Sequence, residues 1–232
     1  MKNIAIIPAR GGSKRIPKKN VIDFFGKPMI AWTIEAALQS ELFDKVIVST
    51  DDLEIAEISK SFGAEVPFLR FEAEDDFSPV SDATLSCLIQ AEKFWQSSFD
   101  TVVQLMPNCP IRNCQDIVYA LKEFNSRESD FQISAFEFGW MNPWWAAEID
   151  DNHEPKQVFP KAIKKRSQDL KKLYCPTGAI WIARSECLKQ EKTFYGKRYV
   201  FSVMPWSSAV DIDDYSDLEM AKATYVMKYR HT

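Results

Sequence analysis

The sequence predicts a three-layer α/β sandwich with Rossmann-like topology and a mostly parallel central sheet. Short apolar, β-branched runs alternate with longer segments whose apolar residues recur at helical spacing. A polar loop with two adjacent glycines directly follows the first apolar run, where open α/β sheets bind ligands. The chain also has the capacity for such a fold: its 232 residues are 46% hydrophobic, enough to give a single domain, 1–232, a well-buried core.

Asn3 to Pro8 reads as the first strand, and Pro28 to Leu38 as a helix beginning at an N-terminal proline. Lys45 to Ser49 is a second strand. Asp52 to Phe62 repeats apolar residues at Leu53, Ile55, Ile58 and Phe62 before the stop signal Gly63, which predicts a helix. The alternation continues with a helix over Asp82 to Trp95, a strand over Thr101 to Met106, a helix over Cys114 to Phe124 and a strand over Phe131 to Phe136. The pattern then changes: an aromatic stretch with Trp140, Pro143, Trp144 and Trp145 precedes a polar turn and a lysine-rich run, so residues 138–175 read as an inserted arm. Strand character resumes over Thr177 to Ala183 and Tyr199 to Val203, and Ser216 to Tyr229 predicts a terminal helix. No internal repeat or low-complexity linker divides the chain.

A formal net charge of -4 argues against a chain whose main work is holding nucleic acid or an anionic membrane surface. The start lacks the apolar run of a signal peptide and no later run reaches membrane-spanning length, so the expected location is the cytoplasm. Cys87, Cys109, Cys114, Cys175 and Cys187 form an odd, scattered set without a CxxC pair, which predicts reduced and mostly buried thiols. The two histidines, His153 and His231, lie in polar surroundings without the partners of a triad, leaving carboxylates, lysines and arginines to carry any chemistry.

The segment from Arg10 to Asn20 is the strongest local signal. Gly11 and Gly12 let backbone amides turn toward an anion, and Arg10, Lys14, Arg15, Lys18 and Lys19 concentrate cations in an acidic chain. It is not a Walker A loop, since no Gly-Lys-Ser/Thr opens a helix, nor a dinucleotide fingerprint, since the third glycine of GxGxxG is missing. A triphosphate is the guest this charge and backbone suit; a solvated basic loop is the plainer alternative.

The run Ile6 to Asn20, IIPARGGSKRIPKKN, closely resembles the signature of the acylneuraminate cytidylyltransferases, the CMP-sialic acid synthetase family, and Gly26-Lys27-Pro28 continue it. Val48 to Asp52, Leu105 to Arg112, Arg166 to Asp169, Thr177 to Ile180 and Asp211 to Asp213 match the family in order along the chain. The resemblance implies a Rossmann-like nucleotidyltransferase fold, usually dimeric. It implies joining of CTP to a nine-carbon α-keto acid sugar, with release of pyrophosphate and Mg2+ as cofactor. Departures at Met106, Asn108, Cys109 and Lys171 fall near the expected sugar side and leave N-acetylneuraminate and modified nonulosonates such as legionaminate or pseudaminate open. A 3-deoxy-manno-octulosonate cytidylyltransferase and a non-catalytic nucleotide-binding module are the competing functions.

The resemblance places Ala9, Arg10, Gly11, Gly12, Ser13, Lys14 and Asn20 at the nucleotide, together with Arg70, Asp82 and Thr84, although a surface arginine and helix capping would also explain the last three. Arg10 and Lys19 are the candidates for stabilising charge at the attacked phosphorus, with Asp211 as proton acceptor. If Asp211 to Asp213 form a strand, residues two apart face one side, so Asp211 and Asp213 present two carboxylates suited to magnesium while Ile212 points inward. Asp214 and Ser216 are better placed to cap the last helix. Asp51 is divided between meeting the nucleotide and capping the helix that follows it. Gln104, a polar residue in an apolar strand, needs a partner in ligand or protein. By resemblance, Gln104, Arg166 and Gln168 contact the sugar, the last two from the arm into a partner subunit's site, with Trp140, Trp144 and Trp145 near a homodimer contact.

Overall fold

The computed structural model describes residues 1–70 and 80–229; His231 lies outside the described residues. β1 (Asn3–Pro8) is followed by a hairpin of β2 (Asp23–Phe24) and β3 (Lys27–Pro28), then α1 (Met29–Gln39), β4 (Lys45–Ser49), α2 (Leu53–Ser61), α3 (Val80–Trp95), β5 (Thr101–Gln104), α4 (Cys114–Ser126) and β6 (Phe131–Glu137). The arm carries β7 (Ala147–Ile149) and β8 (Pro155–Gln157), after which come β9 (Tyr174–Arg184), α5 (Ser185–Glu191), β10 (Tyr199–Val203) and α6 (Tyr215–Tyr229).

The main sheet has the order β10-β6-β9-β5-β1-β4. β1 pairs in parallel with β4 and β5, and β10 with β6, while β9 runs antiparallel between β5 and β6. Both faces are covered, as continuous apolar strands require. Along β1, Ala5 and Ile7 pack with Ile30 and Ile34 of α1 and Ile117 and Phe124 of α4. The alternating Ile4 and Ile6 pack on the other face with Leu85 and Leu88 of α3 and Leu188 of α5.

A third cluster positions the site. Ile16 from the basic loop, Phe24 and Met29 from the hairpin region, Ile111, Val210 and Ile212 bury together against Leu218 and Ala221 of α6. The basic loop and the Asp211–Asp213 segment thus hang from one apolar plug. The hairpin turn is tight, with Phe25 at φ 52 and Gly26 at φ 84, the two successive positive angles of a type I′ turn. Phe25 stacks on Tyr225 of α6 at 4.2 Å between ring centroids.

The arm leaves the sheet after Glu137 and returns at Tyr174; Phe138 N donates to Leu173 O at 3.0 Å across its neck. Trp144 folds inward, its Nε1 donating to Lys171 O at 2.8 Å and its ring packing edge-on against Phe159. Trp140 and Trp145 are exposed.

Several expectations need correction. Residues 211–213 are extended coil outside the sheet. The hairpin β2–β3 and helix α5 carried too short a periodic signal to be read. The strand expected over Thr101 to Met106 ends at Gln104, because Leu105 onward turns into the cleft wall. Two of the cysteines, Cys87 and Cys109, are buried while Cys114, Cys175 and Cys187 are half-buried; all are free. Among the described residues no helix is long and apolar enough to cross a membrane.

Candidate active site

A cleft of about 460 Å³ opens beyond the carboxyl end of β1, lined by Pro8, Arg10, Ser13, Lys14, Arg15, Lys19, Asn20, Met106, Pro107, Asn108 and Asp213. Most of the predicted phosphate loop therefore meets in one place. Its backbone is fixed from beneath: Ala9 is fully buried and donates its N–H to Ser49 O at 2.8 Å, and Asn20 Nδ2 donates to Arg10 O at 2.9 Å. Gly11 N donates to Asp51 Oδ1 at 2.8 Å. A Cβ on Gly11 would stand 2.7 Å from Asp52 Oδ2, so close approach makes this glycine necessary. A Cβ on Gly12 would meet nothing within 4 Å.

Asp51 is thereby assigned to holding the loop. Helix capping falls to Asp52, whose Oδ1 accepts from Ile55 N at 3.0 Å. Arg70 lies with its guanidinium 4.0 Å from Asp51, its N–H donates to Thr50 O at 2.8 Å, and it is not among the residues lining the cleft.

On the opposite wall, Lys19 Nζ donates to Ile212 O at 2.8 Å and to Asp213 Oδ1 at 3.0 Å, while Arg15 donates to Asp213 Oδ2 at 2.9 Å. Burial works against ionisation of Asp213, but the hydrogen bonds and charges of Lys19 and Arg15 outweigh it and hold this carboxyl below its usual range. Asp211 keeps an exposed edge, yet the surrounding protein and then the Asp213 charge push its carboxyl up to about 6, with Lys19 only partly offsetting them. Neither aspartate caps α6. Asp214 Oδ1 accepts from Ser216 N at 2.8 Å and Asp217 N at 3.0 Å, and Asp217 Oδ2 accepts from Asp213 N and Asp214 N in return.

The wall between these two features is Met106 to Asn108, in the segment that runs on to Arg112. Asn108 Nδ2 donates to Asp211 Oδ1 and, at 3.1 Å, to Ile212 O. Arg112 is 1% exposed and anchors the segment from behind, donating to Ala179 O at 2.7 Å and Thr33 Oγ1 at 2.7 Å. Burial lowers its guanidinium to about 10, with the Cys109 and Asp116 charges only partly offsetting it.

Two carboxylates and substrate phosphates are the donor set magnesium favours, and among the described residues no group of three His, Cys, Asp or Glu side chains converges to form an all-protein cage. Gly178 lies beside both walls: a Cβ there would crowd Met106 Cγ at 3.0 Å and touch Asp211 Oδ2 at an ordinary 3.8 Å. The donor set fits magnesium at Asp211, whereas both oxygens of Asp213 already accept from Lys19 and Arg15, so Asp213 would reach a metal only by giving up one of those bonds.

The remaining predicted residues lie outside the cleft lining. Thr84 Oγ1 donates to Gln104 Oε1 at 2.7 Å inside the molecule, so Gln104 has a protein partner on its oxygen, while its Nε2 is buried without one among the described residues. Asp82 is half-buried in the first turn of α3. Arg166 and Gln168 are exposed on the arm, where Arg166 pairs with Asp169 at 2.8 Å. Sequence reasoning gave no role to Arg15 beyond the basic run, and Asn108 entered only as a departure from the family pattern. The pairing of each with the acidic segment spans about two hundred or one hundred positions, which no local pattern carries.

The profile of the family described as cytidylyltransferase matches residues 4–226. The chain belongs to this family. It is a nucleotidyltransferase enzyme, as the signature from Ile6 to Asn20 led us to expect. Pseudaminic acid cytidylyltransferase of Campylobacter jejuni strain 81-176 is 37% identical over 229 residues, covering 99% of this chain and 98% of that protein. CMP-N,N'-diacetyllegionaminic acid synthase of Legionella pneumophila is 35% identical and covers 85% of this chain and 84% of its own length. N-acylneuraminate cytidylyltransferase of Escherichia coli strain RS218 is 33% identical over 95% of this chain, matching 51% of that longer protein. The fold is shared with CMP:2-keto-3-deoxy-manno-octonic acid synthetase, solved with CTP, at a TM-score of 0.69 and 19% identity over 98% of this chain and 100% of that one.

Proposed function

We propose that this enzyme transfers CMP from CTP to the anomeric hydroxyl of an acidic nine-carbon keto sugar, with pseudaminate the first candidate. The observation that carries the reading is end-to-end similarity to a pseudaminic acid cytidylyltransferase, joined to a basic cleft at the carboxyl edge of the sheet. The anomeric oxygen forms a bond to the α-phosphorus, the bond from that phosphorus to the bridging oxygen breaks, and pyrophosphate leaves. Because the phosphoryl group is charged on both sides of the step, the protein's task is positioning and neutralisation.

Arg10, Lys14, Arg15 and Lys19 supply the positive wall, and the Gly11–Ser13 backbone shapes the turn around the phosphates. Arg10 and Lys19 are assigned to the charge that develops on the transferred phosphate. Asp211, with its carboxyl raised toward neutrality, is suited to accept the proton from the anomeric hydroxyl. Asp211 and Asp213 would hold magnesium, which supplies neutralising charge to the substrate phosphates when bound.

The arm, residues 138–175, is read as a dimerisation element that carries Arg166 and Gln168 to the sugar of the partner subunit's site. Trp140, Trp145, Ile149 and Ile163 are all exposed on this arm, which favours the reading, since apolar side chains exposed on one projection mark a protein contact. The reaction is placed in the cytoplasm, the compartment that keeps free cysteines reduced.

Pyrophosphate release from CTP and pseudaminate tests the reading. Wild-type enzyme turns over, and Arg10→Ala and Lys19→Ala each lose about 100-fold or more in kcat, the usual cost of removing one preorganised charge donor. Normal turnover by both variants would sink their assignment. Sedimentation showing a fully active monomer would remove the shared-site arrangement.

A further inference from the structure

We propose that Asn108 is a positioning residue that fixes the Asp211 carboxylate for metal binding. This rests on the reading of Asp211 and Asp213 as magnesium ligands. Asn108 is 3% exposed and lies in the cleft wall beside Met106 and Pro107. Both of its amide hydrogens are committed to the acidic segment, one to Asp211 Oδ1 and one to Ile212 O. These acceptors determine which way the amide faces, because turning it over would set its oxygen against a carboxylate and a carbonyl. The backbone repeats the link: Ile212 N donates to Asn108 O at 2.9 Å.

The arrangement leaves Asn108 Oδ1 buried without a partner among the described residues. An unmet buried acceptor costs about 1–3 kcal/mol, so packing alone would favour an apolar side chain here. An asparagine here fits a position where donation to Asp211 matters more than local stability. Asp211 needs such a restraint. Asp213 and Asp217 both act on it with like charge, and its exposed edge gives it somewhere to turn. With Oδ1 held by Asn108, Oδ2 is the oxygen left for a metal, and the clamp is itself rigid because Arg112 ties its far end to Ala179 O and Thr33. A donor that hydrogen-bonds a ligating carboxylate and fixes its orientation in this way typically contributes about 10- to 100-fold in metal affinity.

The test uses the full chain with saturating CTP and Mn2+ as the probe, its binding followed by water-proton relaxation in wild type, Asn108→Leu, Asn108→Ser and Asp211→Asn. Both Asn108 variants are expected to bind Mn2+ about 10- to 100-fold more weakly and to need correspondingly more Mg2+ for half-maximal turnover, with KM for CTP within about twofold of wild type. If the leucine variant folds poorly, the serine variant decides: the backbone bond from Ile212 N persists and its side chain is too short to reach Asp211. Wild-type Mn2+ affinity in a folded Asn108 variant would overturn the positioning role and leave the metal reading standing. Wild-type affinity in Asp211→Asn would overturn the metal reading and this role with it.

Discussion

Gly11→Ala probes the phosphate loop with the least chemical change. The added methyl would lie 2.7 Å from Asp52 Oδ2 and 3.0 Å from its Cβ. Asp52 is not free to yield, because its Oδ1 caps α2 through Ile55 N and its own N–H is held by Thr50 Oγ1 at 3.1 Å. Either the cap breaks, at about 1 kcal/mol, or the loop lifts and Gly11 N loses its charged partner Asp51, at about 1.5–3 kcal/mol. The expected total is a loss of about 1–3 kcal/mol, which for a chain of this size lowers Tm by roughly 2–12 °C. The larger consequence is functional: a lifted loop presents Arg10 and Ser13 out of register, so KM for CTP rises by about tenfold or more, since every 1.4 kcal/mol of binding is tenfold. Differential scanning fluorimetry and initial-rate kinetics read both effects. Adding Asp52→Gly removes the clashing atoms while glycine costs only a few tenths of a kcal/mol as a cap, so the double variant recovers most of the CTP affinity. Unchanged KM and Tm in Gly11→Ala, or no recovery in the double variant, would refute the argument that Asp51 and Asp52 set the loop.

Asp211→Asn should abolish turnover yet stabilise the metal-free protein at pH 8. The folded carboxyl is raised to about 6 from an ordinary value of 3.8, so its contribution to stability is present below about pH 3.8 and lost as pH rises through about 6. Thermal melts in chelator should therefore show the wild type falling behind the variant as pH rises from about 4 to about 6 and a level difference above about pH 7; a difference that stays constant from about pH 4 to about pH 7 would contradict this. Arg112→Met leaves Ala179 O and Thr33 without their donor and should cost about 2–4 kcal/mol in urea unfolding, with unchanged stability as the contrary result. Alkylation at pH 8 followed by mass spectrometry should modify Cys114 well before Cys87, whose thiol burial pushes up to about 12, and labelling of Cys87 in folded protein at an equal rate would contradict the buried assignment.

The α/β alternation was legible because each strand and helix carries its own period. β4 matches its expected span, and α1, α2 and α3 differ by one or two residues where caps and the hairpin intervene. The antiparallel insertion of β9 was not legible, since Thr177 to Ala183 reads as a buried strand in either direction and its pairing is set by the arm that precedes it. The phosphate loop could be read because glycine and positive charge are compressed into eleven positions. The acidic segment was identified correctly as a pair of carboxylates but placed on a strand; its actual support comes from Ile212 in the third apolar cluster and from Asn108, a contact that only the folded chain creates. Gln104 shows the opposite limit: a lone polar residue in a strand signals a needed partner, and the sequence could not say that Thr84 satisfies its oxygen.

The most direct test of the account is the mass of the product formed from CTP, Mg2+ and each of a panel of keto acid sugars: pseudaminate, legionaminate, N-acetylneuraminate and 3-deoxy-manno-octulosonate. The account predicts a CMP-sugar and stoichiometric pyrophosphate with a nine-carbon acid, highest in kcat/KM for pseudaminate. Conversion of the eight-carbon acid alone, or CTP binding with no CMP-sugar from any member of the panel, would contradict it.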